Sequence, residues 1–361
     1  MPSSNVPAEP AGSRSAVGWA VGALRSPLRR PELASLGGLI AAFIVFSLLR
    51  PDLFLTQDNG VNVASLAAQY GIVAVGVTVL MIAGHFDLSV GTIVGLTGWA
   101  MYYFGNVLGL PPTVTILCAL AFGALLGGIN GIIQVRTGLP SFIITLATSL
   151  VYRGLLTMQT SGFPVVVKFP ADYAQIIAGK LLFGYRMSLL WFIIVALLAT
   201  FFLLRTRMGN WAFAIGQNPT AAKNLGVPVA RTTITLFALS GLTSGIAGVV
   251  VAVQYFSIDA NRGVGWELIA IAMAVIGGTL LTGGYGSVLG TVLGAIMYAM
   301  VTDGLLLVGL QGYWVNIFLG IVVLVAVLIN RVVINRFVMS PDHRPPDQPA
   351  VAADDSKGAS A

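Results

Sequence analysis

Long apolar runs separated by short polar punctuation make up most of this chain. Leu33 to Leu49 and Val61 to Gly84 carry no charge, and similar runs recur at Thr113 to Val135, Ser188 to Leu204, Thr232 to Ser257 and Tyr313 to Asn330. Runs of this kind approach or exceed the roughly 20 residues that cross a bilayer core of about 30 Å. Backbone groups in hydrocarbon must be paired within their own segment, so the runs predict helices, and the two-residue alternation of a transmembrane barrel is absent. Segmenting by length and lack of charge gives about ten spans: 33–49, 61–83, 88–105, 113–135, 139–157, 188–204, 233–255, 266–281, 287–308 and 314–330. Two of these, 88–105 and 266–281, are flanked by glycine-rich connections and read as broken or re-entrant. The expected fold class is an all-α polytopic membrane protein.

Composition sharpens that reading. The chain is 57% hydrophobic and only 9% charged, which leaves no room for a separate catalytic or nucleotide-binding domain, and no P-loop sequence appears. Any ATP used is expected to be hydrolysed by another chain. The 43 glycines would weaken a soluble helical protein, but in membrane helices small residues let backbones approach, as expected at Gly123 with Gly127 and at Gly241 with Gly245. A single cysteine, Cys118, and two histidines, His85 and His343, exclude disulfide stapling and a structural zinc cluster. Neither a metal site nor a catalytic residue is expected. Residues 1–31 and 339–361 are rich in small and polar residues and read as disordered tails around a membrane domain at 32–338. The basic cluster Arg25, Arg29 and Arg30 precedes an apolar run long enough to span, so it reads as an anchor for a first helix rather than a cleavable leader.

Positive charge orients the spans. With both termini cytoplasmic, 13 of the 19 Lys and Arg residues fall on the inner side and six, including Arg50, Arg153 and Arg262, on the outer. The net charge of +6 follows from this asymmetry and requires no nucleic-acid partner.

The polar stretch Arg205 to Thr232 is the most informative. Asn218 is a natural N-cap, Pro219 suits the first helical position, Thr220, Ala221, Ala222, Lys223, Asn224 and Leu225 fit one or two turns, and Gly226 ends them. A capped helix in the loop of a membrane protein predicts a docking surface for a soluble partner.

Three other regions carry candidate chemistry. His85 and Asp87, followed by Ser89, lie between apolar runs, where an ionisable group suggests a proton relay; the competing reading, which we adopt, makes Asp87 the N-cap of the next helix. The second region runs from Asn130 to Gly154, and within it Thr145, Thr148 and Ser149 mark a polar face that lines a path or bonds to its own backbone or neighbouring helices. Glu267 and Asp303, near the ends of late spans, read as exposed interfacial caps.

The motifs taken together are similar to a known family. Asp87-Leu88-Ser89-Val90-Gly91, then Asn130-Gly131, Pro140-Ser141-Phe142-Ile143-Ile144-Thr145-Leu146 and Arg153-Gly154, then Ile215-Gly216-Gln217-Asn218-Pro219-Thr220-Ala221-Ala222 resemble the permease subunit of ribose-type sugar ABC importers, over about Leu33 to Arg336. The resemblance implies a type II-like importer fold, with the permease paired as a homodimer or heterodimer around a central path. It also implies a cytoplasmic ABC ATPase that uses ATP and Mg, a periplasmic sugar-binding protein, and residence in a bacterial inner membrane among its lipids. Ala221, Ala222 and Gly226 match the family's Glu-Ala-Ala pattern with its later glycine, with Thr220 in place of the acid. Gly216, Asn218 and Pro219 match Gly-Gly-Asn-Pro, with Gln217 in place of the second glycine. The implied ATPase-coupling set is therefore Gly216, Asn218, Pro219, Thr220, Ala221, Ala222, Lys223 and Gly226. The residues offered for the substrate pathway are Asp87, Ser89, Asn130, Thr145 and Thr148. A neutral monosaccharide or related polyol fits a lining with few charges. The rival is an ion-coupled secondary carrier, which would need an essential intramembrane acid among Asp87, Glu267 and Asp303.

Overall fold

The computed structural model describes residues 31–318 together with 320, 321 and 324. Both expected tails lie outside the described residues, apart from Pro31 at the start of the first helix, as does most of the span expected at 314–330. The described residues are mostly helical: α1 Pro31–Leu49, α2 Pro51–Phe54, α3 Gln57–Ile82, α4 Val90–Tyr102, α5 Pro112–Thr137, α6 Ser141–Thr160, α7 Ala171–Ala178, α8 Met187–Arg205, α9 Arg207–Gln217, α10 Pro219–Asn224, α11 Val229–Tyr255, α12 Trp266–Ile276 and α13 Val288–Leu307. A π-helical turn, Tyr103–Val107, extends α4. Two short strands, β1 Val165–Val166 and β2 Ser257–Ile258, pair antiparallel. Among the described residues six helices, α3, α5, α6, α8, α11 and α13, are long and apolar enough to cross a membrane. The protein is an all-α polytopic membrane protein.

The long helices start and stop where local signals place them. Thr56 accepts from the Asn59 amide at the head of α3, Ser287 from the Gly290 amide at the head of α13, and Gly138 closes α5 in the left-handed region at φ 66°, a conformation glycine adopts at no steric cost. Helix α11 is the spine. It packs along α5, α4 and α3, and it meets α5 backbone to backbone: a Cβ built on Gly127 would lie 2.9 Å from both Cα and N of Gly241, and one on Gly123 would lie 3.1 Å from Cα of Gly245. Small residues permit this approach, and dispersion across the tight seam replaces the hydrophobic drive that lipid does not supply. The expected glycine seam is thus present, formed between helices.

The two doubtful spans are both interrupted. Take as the near end the one where α3 finishes and α11 begins. From there the chain rises without helical structure through residues 83–89. The Phe86 amide donates to Ser141 at the start of α6 (2.9 Å), and Asp87 meets Ser240, which lies eleven residues, about 16 Å, along α11. Only then does α4 begin. The second interruption enters from the opposite end. After β2 the chain descends through 259–265 beside α4, and α12 starts where Trp266 packs on Tyr70, with ring centroids 4.4 Å apart, halfway along α3. Helix α12 has 11 residues and finishes at the near end, where the Ser35 hydroxyl donates to the Ile276 carbonyl (2.6 Å). The two half-way helix starts abut: Gly91 packs on Gly263, and the Glu267 carboxylate lies 2.5 Å from where a Gly91 Cβ would sit.

Packing this close predicts different outcomes for different glycines. Gly241→Val drives a branched side chain into α5 backbone and should cost about 1–3 kcal/mol or more. Gly154→Ala on α6, with nothing within 4 Å of its Cβ, should stay within about 0.5 kcal/mol of the parent. Thermal unfolding of the purified proteins in detergent measures both, and a Gly241→Val protein as stable as the parent would contradict the seam.

Candidate functional site

The polar stretch 205–232 folds into two helices joined at Asn218. Thr206 caps α9 by accepting from the Gly209 amide (3.1 Å), and its hydroxyl donates to the Phe202 carbonyl (2.6 Å). Helix α9 is strongly amphipathic and turns Gly209, Ala212 and Ile215 into the bundle. The sequence reading missed it. Its signals, Thr206 as a cap and apolar residues at helical spacing, were present but masked by the charges at Arg205 and Arg207. The second helix is where it was expected. Asn218 Oδ1 accepts from the Ala221 amide (3.0 Å), Pro219 occupies the first position, and Gly226 at φ 84° ends it as the Val227 amide bonds back to the Ala222 carbonyl (3.0 Å). The helix ends one residue earlier than expected, at Asn224.

Only one side chain of α10 is inserted into the protein. Ala222 is buried, while Thr220, Ala221, Lys223 and Asn224 are exposed. Leu225 is 85% exposed, the most exposed large apolar side chain in the described structure. Helix α10 is thus a capped helix of six residues with a lysine and, just past its end, a leucine exposed side by side.

The pathway candidates are placed deeper. Asp87, Ser89, Asn130 and Thr145 are fully buried and Thr148 half-buried. Asp87 is not the N-cap: Ser89 holds that position in α4, with helical dihedrals and no side-chain cap of its own. Asp87 lies two residues too early. Its Oδ1 accepts from the Ser89 amide (2.9 Å) and hydroxyl (2.6 Å), an Asx-type turn, and its Oδ2 accepts from Ser240 (3.2 Å). The chain of bonds continues as Asn130 Nδ2 donates to Ser89 Oγ (2.8 Å) and Tyr152 donates to the Leu126 carbonyl (3.1 Å) and Asn130 Oδ1 (3.3 Å). The network therefore pins the ascending segment 83–89 to α5, α6 and α11. Thr145 donates to the Ser141 carbonyl (2.8 Å) and lies 3.4 Å from the Phe86 carbonyl, and Thr148 donates to the Thr145 carbonyl (3.3 Å). His85 rests against Phe237, its Nε2 3.4 Å from the Thr233 hydroxyl.

Arg153, which the charge tally counted on the outer side, has partners that sequence reasoning did not foresee. It sits twelve residues into α6, about 18 Å along it, and clasps the descending segment. Its guanidinium donates to the carbonyls of Ala260 (2.5 Å) and Arg262 (3.0 Å) and to Thr92 (3.3 Å). Glu267 corrects the interfacial-cap reading: it is half-buried in the first turn of α12 and close to the start of α4, where one carboxylate faces two positive helix ends. Asp303 falls in the last turns of α13, the end whose dipole disfavours an acid, so it is no cap either.

Residues 59–327 match the family described as branched-chain amino acid transport system / permease component. The chain is 34% identical to the ribose import permease protein RbsC of Haemophilus influenzae over 304 residues, 83% of this chain and 93% of that protein. It is 33% identical to the protein of the same name from Escherichia coli K12, over 83% of this chain and 94% of that one, and 34% identical to that of Bacillus subtilis, over 81% and 91%.

Two substitutions test the local geometry. Asn218→Ala removes a cap worth about 1 kcal/mol, so amide exchange across 219–225 should quicken roughly fivefold, with Asn218→Ser restoring it; unchanged exchange would refute the cap. Asp87→Ala leaves two buried hydroxyls and an amide without their acceptor and should cost about 2–4 kcal/mol. Asp87→Asn keeps an acceptor oxygen and should cost less in thermal unfolding, whereas equal costs would sink the network's role.

Proposed function

The chain belongs to the branched-chain amino acid transport system / permease component family, and from that premise we propose that it is the membrane-spanning subunit of an ATP-driven importer that passes a monosaccharide into the cytoplasm. The relatives named as ribose import permeases, aligned over four-fifths of the chain, support a sugar of that class or a related polyol. The observation that carries the reading is α10: a capped helix fixed through Ala222, with Leu225 held out at 85% exposure. In this reading the exposed Asn218, Pro219, Thr220, Ala221, Lys223 and Gly226 meet a separate ATPase chain, which binds the ATP and Mg, while Ala222 and Gly216 anchor that surface from within.

The cycle follows. Nucleotide binding closes the ATPase pair, α10 moves with it, and the bundle passes between outward-open and inward-open arrangements because nucleotide binds one of them better. Sugar arrives from an extracytoplasmic binding protein and crosses between two permease copies. The near end, with α10, faces the cytoplasm with both termini. With the six long helices, α1, α4 with its π turn and the 259–276 segment account for nine of the ten expected passes; the tenth, expected at 314–330, lies mostly outside the described residues. Asp87, Ser89 and Asn130 stand behind the route and hold its wall, while Thr145 and Thr148 on α6 border it when the bundle opens. A secondary carrier is not favoured: the relatives are named as ribose import permeases, and the Asp87 carboxylate is accounted for as the acceptor that holds Ser89 and Ser240.

Affinity purification from the native membrane tests the assignment. The parent should retain an ABC ATPase, and Ala221→Glu with Leu225→Asp, both at exposed positions, should reduce its recovery at least tenfold, about 1.4 kcal/mol, while the permease stays in the membrane. Parental recovery in the double variant, or no ATPase with the parent, would overturn the reading.

A further inference from the structure

Three segments distant in sequence converge directly behind α10. They are the end of α9 at Gly216, the start of the ascending segment at Gly84, and the 277–287 link between α12 and α13 at Gly283 and Gly284. They touch through backbone. The Gly284 amide donates to the Ile82 carbonyl (2.8 Å). A Cβ on Gly283 would lie 2.8 Å from Cα and N of Gly84 and 3.2 Å from Cα of Gly216, and one on Gly216 would lie 3.0 Å from the Ile82 carbonyl carbon. Gly84, Gly283 and Gly284 have φ of 80°, 81° and 77°, the left-handed region that other residues avoid. Gly284 also packs on Gln217, which joins Gly216 to the cap residue Asn218.

From the Proposed function reading of α10, we propose that Gly84, Gly283 and Gly284 form with Gly216 a backbone junction that carries displacement of α10 into both interrupted spans, and that they are positioning residues of the transport cycle.

The physical argument is stiffness. Side chains absorb small movements by changing rotamer, but backbone packed on backbone has no such slack and transmits strain. From Gly84 the chain runs through the Asp87 turn to the start of α4. From Gly283 it runs back to the end of α12 and on to the head of α13. The two interrupted spans are joined again midway, where Gly91 packs on Gly263. Held together at the junction and at mid-depth, they respond as one body, and Arg153 and Ser141 tie that body to α6. A push on Asn218 therefore reaches both interrupted spans through backbone alone, and α6 from there through Ser141 and Arg153.

Merely structural glycines would affect stability alone, so the test reads coupling. Gly84→Ala is the mild variant: its Cβ has room, with neighbours at 3.7 and 3.8 Å, and only φ is strained. Gly138→Ala, equally left-handed at φ 66° with nothing within 4 Å, is the control. In proteoliposomes with the co-purified ATPase and binding protein, Gly84→Ala and Gly283→Ala should hydrolyse ATP within about twofold of the parent while ribose taken up per ATP falls at least tenfold; Gly138→Ala should match the parent. Parental uptake per ATP in both junction variants would overturn the proposal. Hydrogen exchange on the parent complex, with and without a non-hydrolysable ATP analogue, decides the case without variants. Protection should change in 83–89 and 278–286 together with 216–226. A change confined to 216–226 overturns the junction alone, and no change in 216–226 removes the reading of α10 beneath it.

Discussion

Two stretches of backbone, 83–89 and 259–265, run without helical hydrogen bonds inside a bundle of apolar helices, and the rest of the molecule is arranged to pair them. An unpaired amide or carbonyl costs several kcal/mol away from water, so each stretch is met by side chains from other helices. Ser141 takes the Phe86 amide, while within the stretch Asp87 takes the Ser89 amide and is itself held by Ser240 of α11. Arg153 supplies the Ala260 and Arg262 carbonyls. This accounts for a buried carboxylate and a guanidinium within a chain only 9% charged. They hold irregular backbone in place, and a titrating relay is not needed to explain them.

Irregular backbone also requires neighbours that come close, and glycine provides them. Along α5 and α11 it makes a seam; at Gly91 and Gly263 it lets the two interrupted spans touch; at Gly84, Gly216, Gly283 and Gly284 it lets three segments meet behind α10. The first of these is packing that any membrane bundle uses. The other two occur only where helices are interrupted, so the places that cost most to build are also those that link the exposed helix to the middle of the bundle.

What the sequence disclosed and what it hid divide along this line. A span depends on the hydropathy of its own residues, so 113–135 and 188–204 appear as Pro112–Thr137 and Met187–Arg205. The Asn218-Pro219 start and Gly226 stop of α10 are local too. Asp87 was read as a cap because an acid before a helix usually is one; its partner Ser240 is 153 residues away and invisible to local reasoning. The role of Arg153 stayed hidden because its carbonyl partners lie more than a hundred residues on. The doubtful spans were legible as doubtful from their flanking glycines, but that their starts abut is a fact of the fold.

The most direct test of the whole account is uptake of the labelled sugar that its binding protein holds, into proteoliposomes containing this chain, its co-purified ATPase and that binding protein, with ATP trapped inside and ion gradients set independently. The account predicts uptake that needs internal ATP and binding protein and persists when a protonophore collapses the gradient. Uptake by the chain alone, driven by an ion gradient and indifferent to ATP, would contradict it.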